Sequence, residues 1–136
     1  MAQQTFQPGR NVFVVDDSPG GPYSAFFDDD GEAGYFYAVD LTSDDLILDV
    51  VPVYEAATIS ERNRKSSLSI IWSADGQKCA LLINDAPHAA FDFNAQRGFS
   101  RARAPRSFEQ KRGSWKNSDH SWSDAAVAWL GIRKSA

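Results

Sequence analysis

The chain is poor in the side chains that catalysis and cross-linking draw on: in 136 residues it has one cysteine, Cys79, and two histidines, His88 and His120. A lone cysteine cannot close an internal disulfide, and no Cys/His set has the spacing of a zinc site. Basic side chains are nearly missing from the first 60 residues, where Arg10 stands against eleven Asp and Glu. No apolar run approaches the roughly 18 residues expected of a membrane span. The opening stretch, Met1 to Arg10, is polar and lacks the apolar core of a secretory leader. The expectation is a cytoplasmic protein in a reducing compartment, with no membrane, cofactor or metal among its associations.

The second half reverses the charge. Residues 61–136 hold thirteen Lys and Arg against seven acids, so the net charge of -4 is the sum of -10 and +6. A field of one sign concentrates ligands of the other at the surface that carries it. The asymmetry points to a partner or to self-association without naming either. The length suits one domain over residues 1–136, with 1–10 expected as a tail and 103–120 as a long basic loop. Aromatic residues make up 12% of the chain. Each one buried removes roughly 150 to 250 Å² from water, so the core needs no covalent staple.

Two hairpins are legible. Asp75-Gly76 favours the positive backbone angles of a two-residue turn. With Ala74 facing Gln77, Trp72 lies opposite Cys79, Ile70 opposite Leu81 and Leu68 opposite Ile83, and directly opposed residues share one sheet face. That face is wholly apolar, whereas the reverse, with Ile71, Ala80, Ser69 and Leu82, is mixed and calls for water or another layer. The second hairpin joins Pro22–Asp28 to Ala33–Leu41 around Asp29-Asp30-Gly31-Glu32. Its aromatic residues fall on both faces, so either the ribbon is covered on both sides or one aromatic face is left for a partner.

Asn11–Val15 reads as a short strand ended by a run of turn formers from Asp16 to Gly21. Leu46–Tyr54 reads as a buried strand in which Pro52 demands an edge, a bulge or a break. Ala89–Phe93 follows a turn through Asp85-Ala86-Pro87, and Phe99–Ala102 supplies a last strand. A helix is expected over Asp124–Leu130, capped by Ser123 and stopped at Gly131, with Ala126, Trp129 and Leu130 docking on the sheet. The fold class is mainly β with some α: an antiparallel sheet or partly closed barrel of about seven strands and one short C-terminal helix.

Candidate sites are few. If Gly31 took the invariant glycine position of a calcium-binding EF-hand loop, Phe26 and Tyr37 would occupy ligand positions that require oxygen, so the acidic stretch Asp28–Glu32 reads as a solvated hairpin tip. Arg97–Lys116 interleaves seven basic side chains with Phe99, Phe108 and Trp115, as single-stranded nucleic acid requires. A pI near 5.0 argues against that use. Pairing with the acidic half, in the same molecule or in a homodimer, accounts for the arginines as well as a protein partner does. Arg97, Phe99, Arg101 and Arg103 are the residues assigned to partner binding. An enzyme would have to work near His88 and Asp92, for there is no nucleophile elbow or phosphate-cradling loop. Cys79 faces inward and should be inert.

Asp29-Asp30-Gly31-Glu32-Ala33-Gly34-Tyr35-Phe36-Tyr37-Ala38, Trp72-Ser73-Ala74-Asp75-Gly76 and the stretch from Leu81 to Phe93, followed by Arg97-Gly98, together resemble a bacterial family of uncharacterised proteins, domain of unknown function 2251. The resemblance covers most of residues 11–130. It implies a bacterial, cytoplasmic protein and supplies no activity, cofactor or catalytic residue. The functional expectation is a noncatalytic protein-binding or regulatory domain, with polyanion binding through 97–116 and an enzyme near His88 as the alternatives.

Overall fold

The computed structural model describes residues 2–44, 46–59, 65–102, 113–115 and 118–135. Among the described residues nine strands are formed: β1 (Ala2–Phe6), β2 (Val12–Asp17), β3 (Tyr23–Asp29), β4 (Ala33–Asp40), β5 (Ile47–Glu55), β6 (Ser66–Trp72), β7 (Lys78–Ile83), β8 (Ala86–Asp92) and β9 (Arg97–Ser100). All neighbours pair antiparallel, in a five-stranded sheet of order β1-β6-β7-β8-β9 and a four-stranded sheet of order β2-β3-β4-β5. This corrects the expected single sheet or partly closed barrel of about seven strands. The alternation of apolar residues fixes which face of a strand is buried, but it does not say which strands share a sheet.

The Asp75-Gly76 bend sets β6 against β7 in the expected register, but through a longer turn than the two-residue one: Ser73 N donates to Lys78 O, Gly76 N donates to Ser73 O, and Asp75 does not share the positive φ of Gly76. Gly76 takes φ 72°, the Asp75 carboxylate accepts from Ser73 Oγ at 2.6 Å and Gln77 N at 3.0 Å, and Trp72 falls opposite Cys79, Ile70 opposite Leu81, Leu68 opposite Ile83. Leu68, Ile70, Cys79 and Leu81 are fully buried in the main core. They meet Ala25, Phe27, Phe36 and Ala38 of the opposing sheet, with Phe36 stacked on Phe91 at 4.9 Å between ring centres. Each large side chain so buried contributes roughly 1.5 to 3 kcal/mol, which makes this interlayer the main source of stability.

Three elements differ from expectation. The polar segment expected as a tail forms β1, where Phe6 is buried in the core against Phe27 and Tyr54. β8 starts at Ala86 because the reversal lies one step earlier, at Asn84 and Asp85 with φ 52° and 67°, the left-handed pair of a tight hairpin turn. The C-terminal helix from Asp124 takes the tighter 3₁₀ form; it stops at Gly131 as expected, where φ is 68°, and a second short 3₁₀ stretch follows to Ser135. Pro52 behaves as foreseen: β5 is an edge strand, and its register on β4 shifts beside that residue.

The helix covers the reverse face of the five-stranded sheet. Trp122, Ala126, Val127, Trp129 and Leu130 pack on Ile71, Ala80, Leu82, Ala90 and Phe99. That is the additional layer which the mixed reverse face of the β6–β7 hairpin called for.

Candidate functional site

Period-two alternation and the observed register together give the outer face of the four-stranded sheet its pattern. Phe13, Val15 and Asp17 of β2 lie opposite Asp28, Phe26 and Ser24 of β3, and these lie opposite Tyr35, Tyr37 and Val39 of β4. An apolar row, Val15-Phe26-Tyr37-Val50, therefore crosses the sheet. Phe26 stacks on Tyr37 at 4.3 Å and 15° between planes, and Phe13 leans on Phe26 at 5.1 Å. The face is closed on the β4–β5 side and open on the β2 side: Tyr35 and Val50 are buried, whereas Phe13 is 59% and Val15 50% exposed. Burial, then the carboxylate of Asp28, pushes the Tyr37 phenol above its ordinary value, so it stays neutral and can donate a hydrogen bond.

A second arrangement lies at the seam between β5 and β9. Residues 113–115 run along β5, with Ser114 N donating to Ile47 O and Trp115 N to Leu48 O. On the β9 side Ser100 N donates to His120 O, and Gly98 N donates to Ser118 Oγ at 2.7 Å. Asp49, buried on β5, ties the two sides together. Its Oδ2 accepts from Ser118 Oγ at 2.7 Å, and its Oδ1 pairs with His120 Nε2 at 2.8 Å. Trp115 fills the seam edge-on to Phe91 and Phe93. Glycines make the close approach practicable: a Cβ at Gly113 would overlap the Leu48 carbonyl, and one at Gly98 would overlap the Asp49 carboxylate.

Ser118, His120 and Asp49 are the residue types of a hydrolytic triad in the wrong order. A nucleophilic serine must give its proton to histidine. Here the hydroxyl and the imidazole both turn to the carboxylate, so the cluster clamps the seam. Sequence reasoning missed it because Asp49 is 69 and 71 positions from Ser118 and His120. The available signal was one acidic residue, Asp49, inside the apolar run Leu46–Tyr54.

The residues assigned to partner binding occupy the edge next to this seam. Phe99 is buried under the C-terminal helix. The Arg97 guanidinium lies 5.3 Å from the centre of the Phe99 ring and 3.5 Å from Asp119, while Arg101 sits 4.1 Å over Trp122 and donates through Nε to Pro87 O at 2.8 Å. Both guanidiniums thus have intramolecular contacts. Arg103 and the basic residues from Arg106 to Arg112, with Lys116, lie outside the described residues. His88 and Asp92 share a strand face but stand about 13 Å apart at strand rise, beyond hydrogen-bonding reach. Burial and then the nearby Arg101 hold His88 below its usual value, and Asp92 accepts from Ala95 N at 3.0 Å.

At the hairpin tip, buried Asp29 accepts from Gly9 N at 2.6 Å, from Gly31 N at 2.8 Å and from the Tyr54 hydroxyl. Asp30 folds onto Glu32 N and Ala33 N. These carboxylates brace loops. Among the described residues no group of three His, Cys, Asp or Glu is placed to hold a metal ion, and no helix is long and apolar enough to cross a membrane.

No solved structure matches the chain. An uncharacterized protein of Haemophilus influenzae is 33% identical over 112 residues, a stretch covering 82% of this chain and 68% of the relative. The family model described as an uncharacterized protein conserved in bacteria (DUF2251) matches residues 6–130, which takes in eight of the nine strands in full and both arrangements above. With a relative of that similarity and a match of that extent, the chain belongs to this family of conserved bacterial proteins.

Proposed function

We propose that the chain is a noncatalytic protein-recognition domain that docks its partner on the open β2–β3 side of the four-stranded sheet. The observation that supports this is the exposure of Phe13 and Val15 beside the stacked Phe26 and Tyr37. Contiguous apolar surface on a soluble domain marks interaction sites, and aromatic clusters supply the centre of a typical interface of roughly 800 Å² per partner. Asp17 lies on the same face, and ten further acids occupy the first 60 residues, so a cationic partner suits the field. The basic edge supports docking less well, since Arg97 and Arg101 lie against rings of their own chain and Phe99 is buried. The reading takes the chain as one domain working in a reducing cytoplasm, where its buried thiol needs no partner.

The test replaces Phe13 and Val15 by Ser and compares capture from an extract of the native bacterium, quantified by mass spectrometry. The expected result is loss of a specific partner at an unchanged melting temperature. Equal capture by both forms would refute the reading.

A further inference from the structure

The sandwich has two seams. The β5–β9 seam is filled by residues 113–115 and 118–120 of the chain itself. At the opposite seam, among the described residues, β1 pairs with β6 and β2 with β3, so each is the edge strand of its sheet. Where the end of β1 nears the start of β2 lies an open cleft of about 430 Å³ lined by Thr5, Phe6, Gln7, Arg10, Asn11, Val12 and Lys65. Ligand sites commonly have volumes of about 300 to 1,000 Å³ and combine an apolar wall with a few convergent polar groups. Here half-buried Val12 and the small exposed edge of core-buried Phe6 supply the wall, and Thr5, Gln7 and Asn11 supply hydrogen-bonding groups.

Its charge is what distinguishes the cleft. Arg10, the single basic residue of the first 60, and Lys65 both line it, and neither is paired with an acid among the described residues. The loop that presents Arg10 is built to hold its shape. Arg10 N donates to Gln7 O at 3.2 Å, Gly9 N donates to the Asp29 carboxylate, and Asn11 takes φ 52°. Asp29 is itself fixed by Tyr54 and Gly31 N. A buried carboxylate with three donors thus positions the backbone beneath Arg10. Arg10 on this braced loop and Lys65 from the segment just before β6 bring a guanidinium and an ammonium to one cleft, and both groups make charge-assisted hydrogen bonds to oxyanions.

We infer that the β1–β2 seam binds a small oxyanion, a carboxylate or a phosphate monoester, carried on an apolar body that rests on Phe6 and Val12. The site is separate from the outer face and does not depend on it. The experiment is a titration of the full-length protein, followed by amide NMR, with phenyl phosphate and with phenylacetate, and with benzyl alcohol as the uncharged probe. Expected are saturable shifts concentrated on residues 5–12 and 65 with at least one anion and none with the alcohol, the stronger anion identifying the class. Arg10→Ala and Lys65→Ala should each weaken binding about tenfold, and Arg10→Lys should retain part of it. Arg10 and Lys65 are exposed, so the variants keep the fold. The inference is overturned if neither anion gives saturable shifts, if the shifts scatter over the other basic segments, or if both alanine variants bind as well as the parent.

Discussion

Asp49→Ala tests how the β5–β9 seam is held. The substitution removes the acceptor for Ser118 Oγ, His120 Nε2 and the amide of Val50, all within 3.0 Å of a carboxylate that is 3% exposed. Leaving a buried donor without a partner costs about 1 to 3 kcal/mol. Ser118 and His120 are only partly buried, so water recovers some of that, and the net loss should be about 2 to 4 kcal/mol. Urea unfolding measures the loss. Hydrogen exchange locates it: the amides of Ser114, Trp115, Gly98 and Ser100, which stitch the seam, should lose protection before those of β6 and β7. A double-mutant cycle with His120→Ala should give a coupling of about 1 kcal/mol or more. A loss under about 1 kcal/mol, or strict additivity with His120→Ala, would refute the clamp.

Other outcomes follow from the same structure. Leu81→Ala, at the centre of the main core, should cost about 2 to 5 kcal/mol in chemical denaturation, and a smaller loss would mean that the sheets do not meet there. Burial, followed by the hydrogen bond to Asp29, pushes the Tyr54 phenol far above its ordinary value near 10, so the folded state favours the neutral form. That stabilisation is complete below about pH 10 and is lost as pH rises beyond it. The parent should therefore lose stability more steeply than Tyr54→Phe in alkaline melts, and parallel curves would contradict this. Burial likewise raises the Cys79 thiol, which should react with a thiol reagent only at the rate of global unfolding.

What could be read from the sequence was what neighbouring residues determine. Asp75-Gly76 specifies a turn, the turn specifies the register, and the register places Trp72, Cys79 and Leu81 on the core side. Pro52 announced an edge for the same local reason. What stayed hidden depends on distant residues. A polar stretch such as Ala2–Phe6 becomes a strand because β6 offers a free edge. The division into two sheets follows from which edges meet after folding. The turn forms at Asn84-Asp85, one step before the Asp85-Ala86-Pro87 that the proline suggests, because two left-handed residues suffice to reverse the chain. The candidate face was half legible: both faces of the β3–β4 ribbon are aromatic by count, but only packing decides that Phe27 and Phe36 are enclosed while Phe13 and Val15 meet water. The cation cleft could not be read at all, since Arg10 and Lys65 are 55 positions apart in the sequence.

The central claim is that the open aromatic side of the four-stranded sheet recognises a partner. Its most direct test is the calorimetric affinity of the captured partner for the parent and for Phe13→Ser. A residue at the centre of an interface should lose at least about tenfold in affinity, or about 1.4 kcal/mol, with the melting temperature unchanged. Equal affinity for the two forms would contradict the claim.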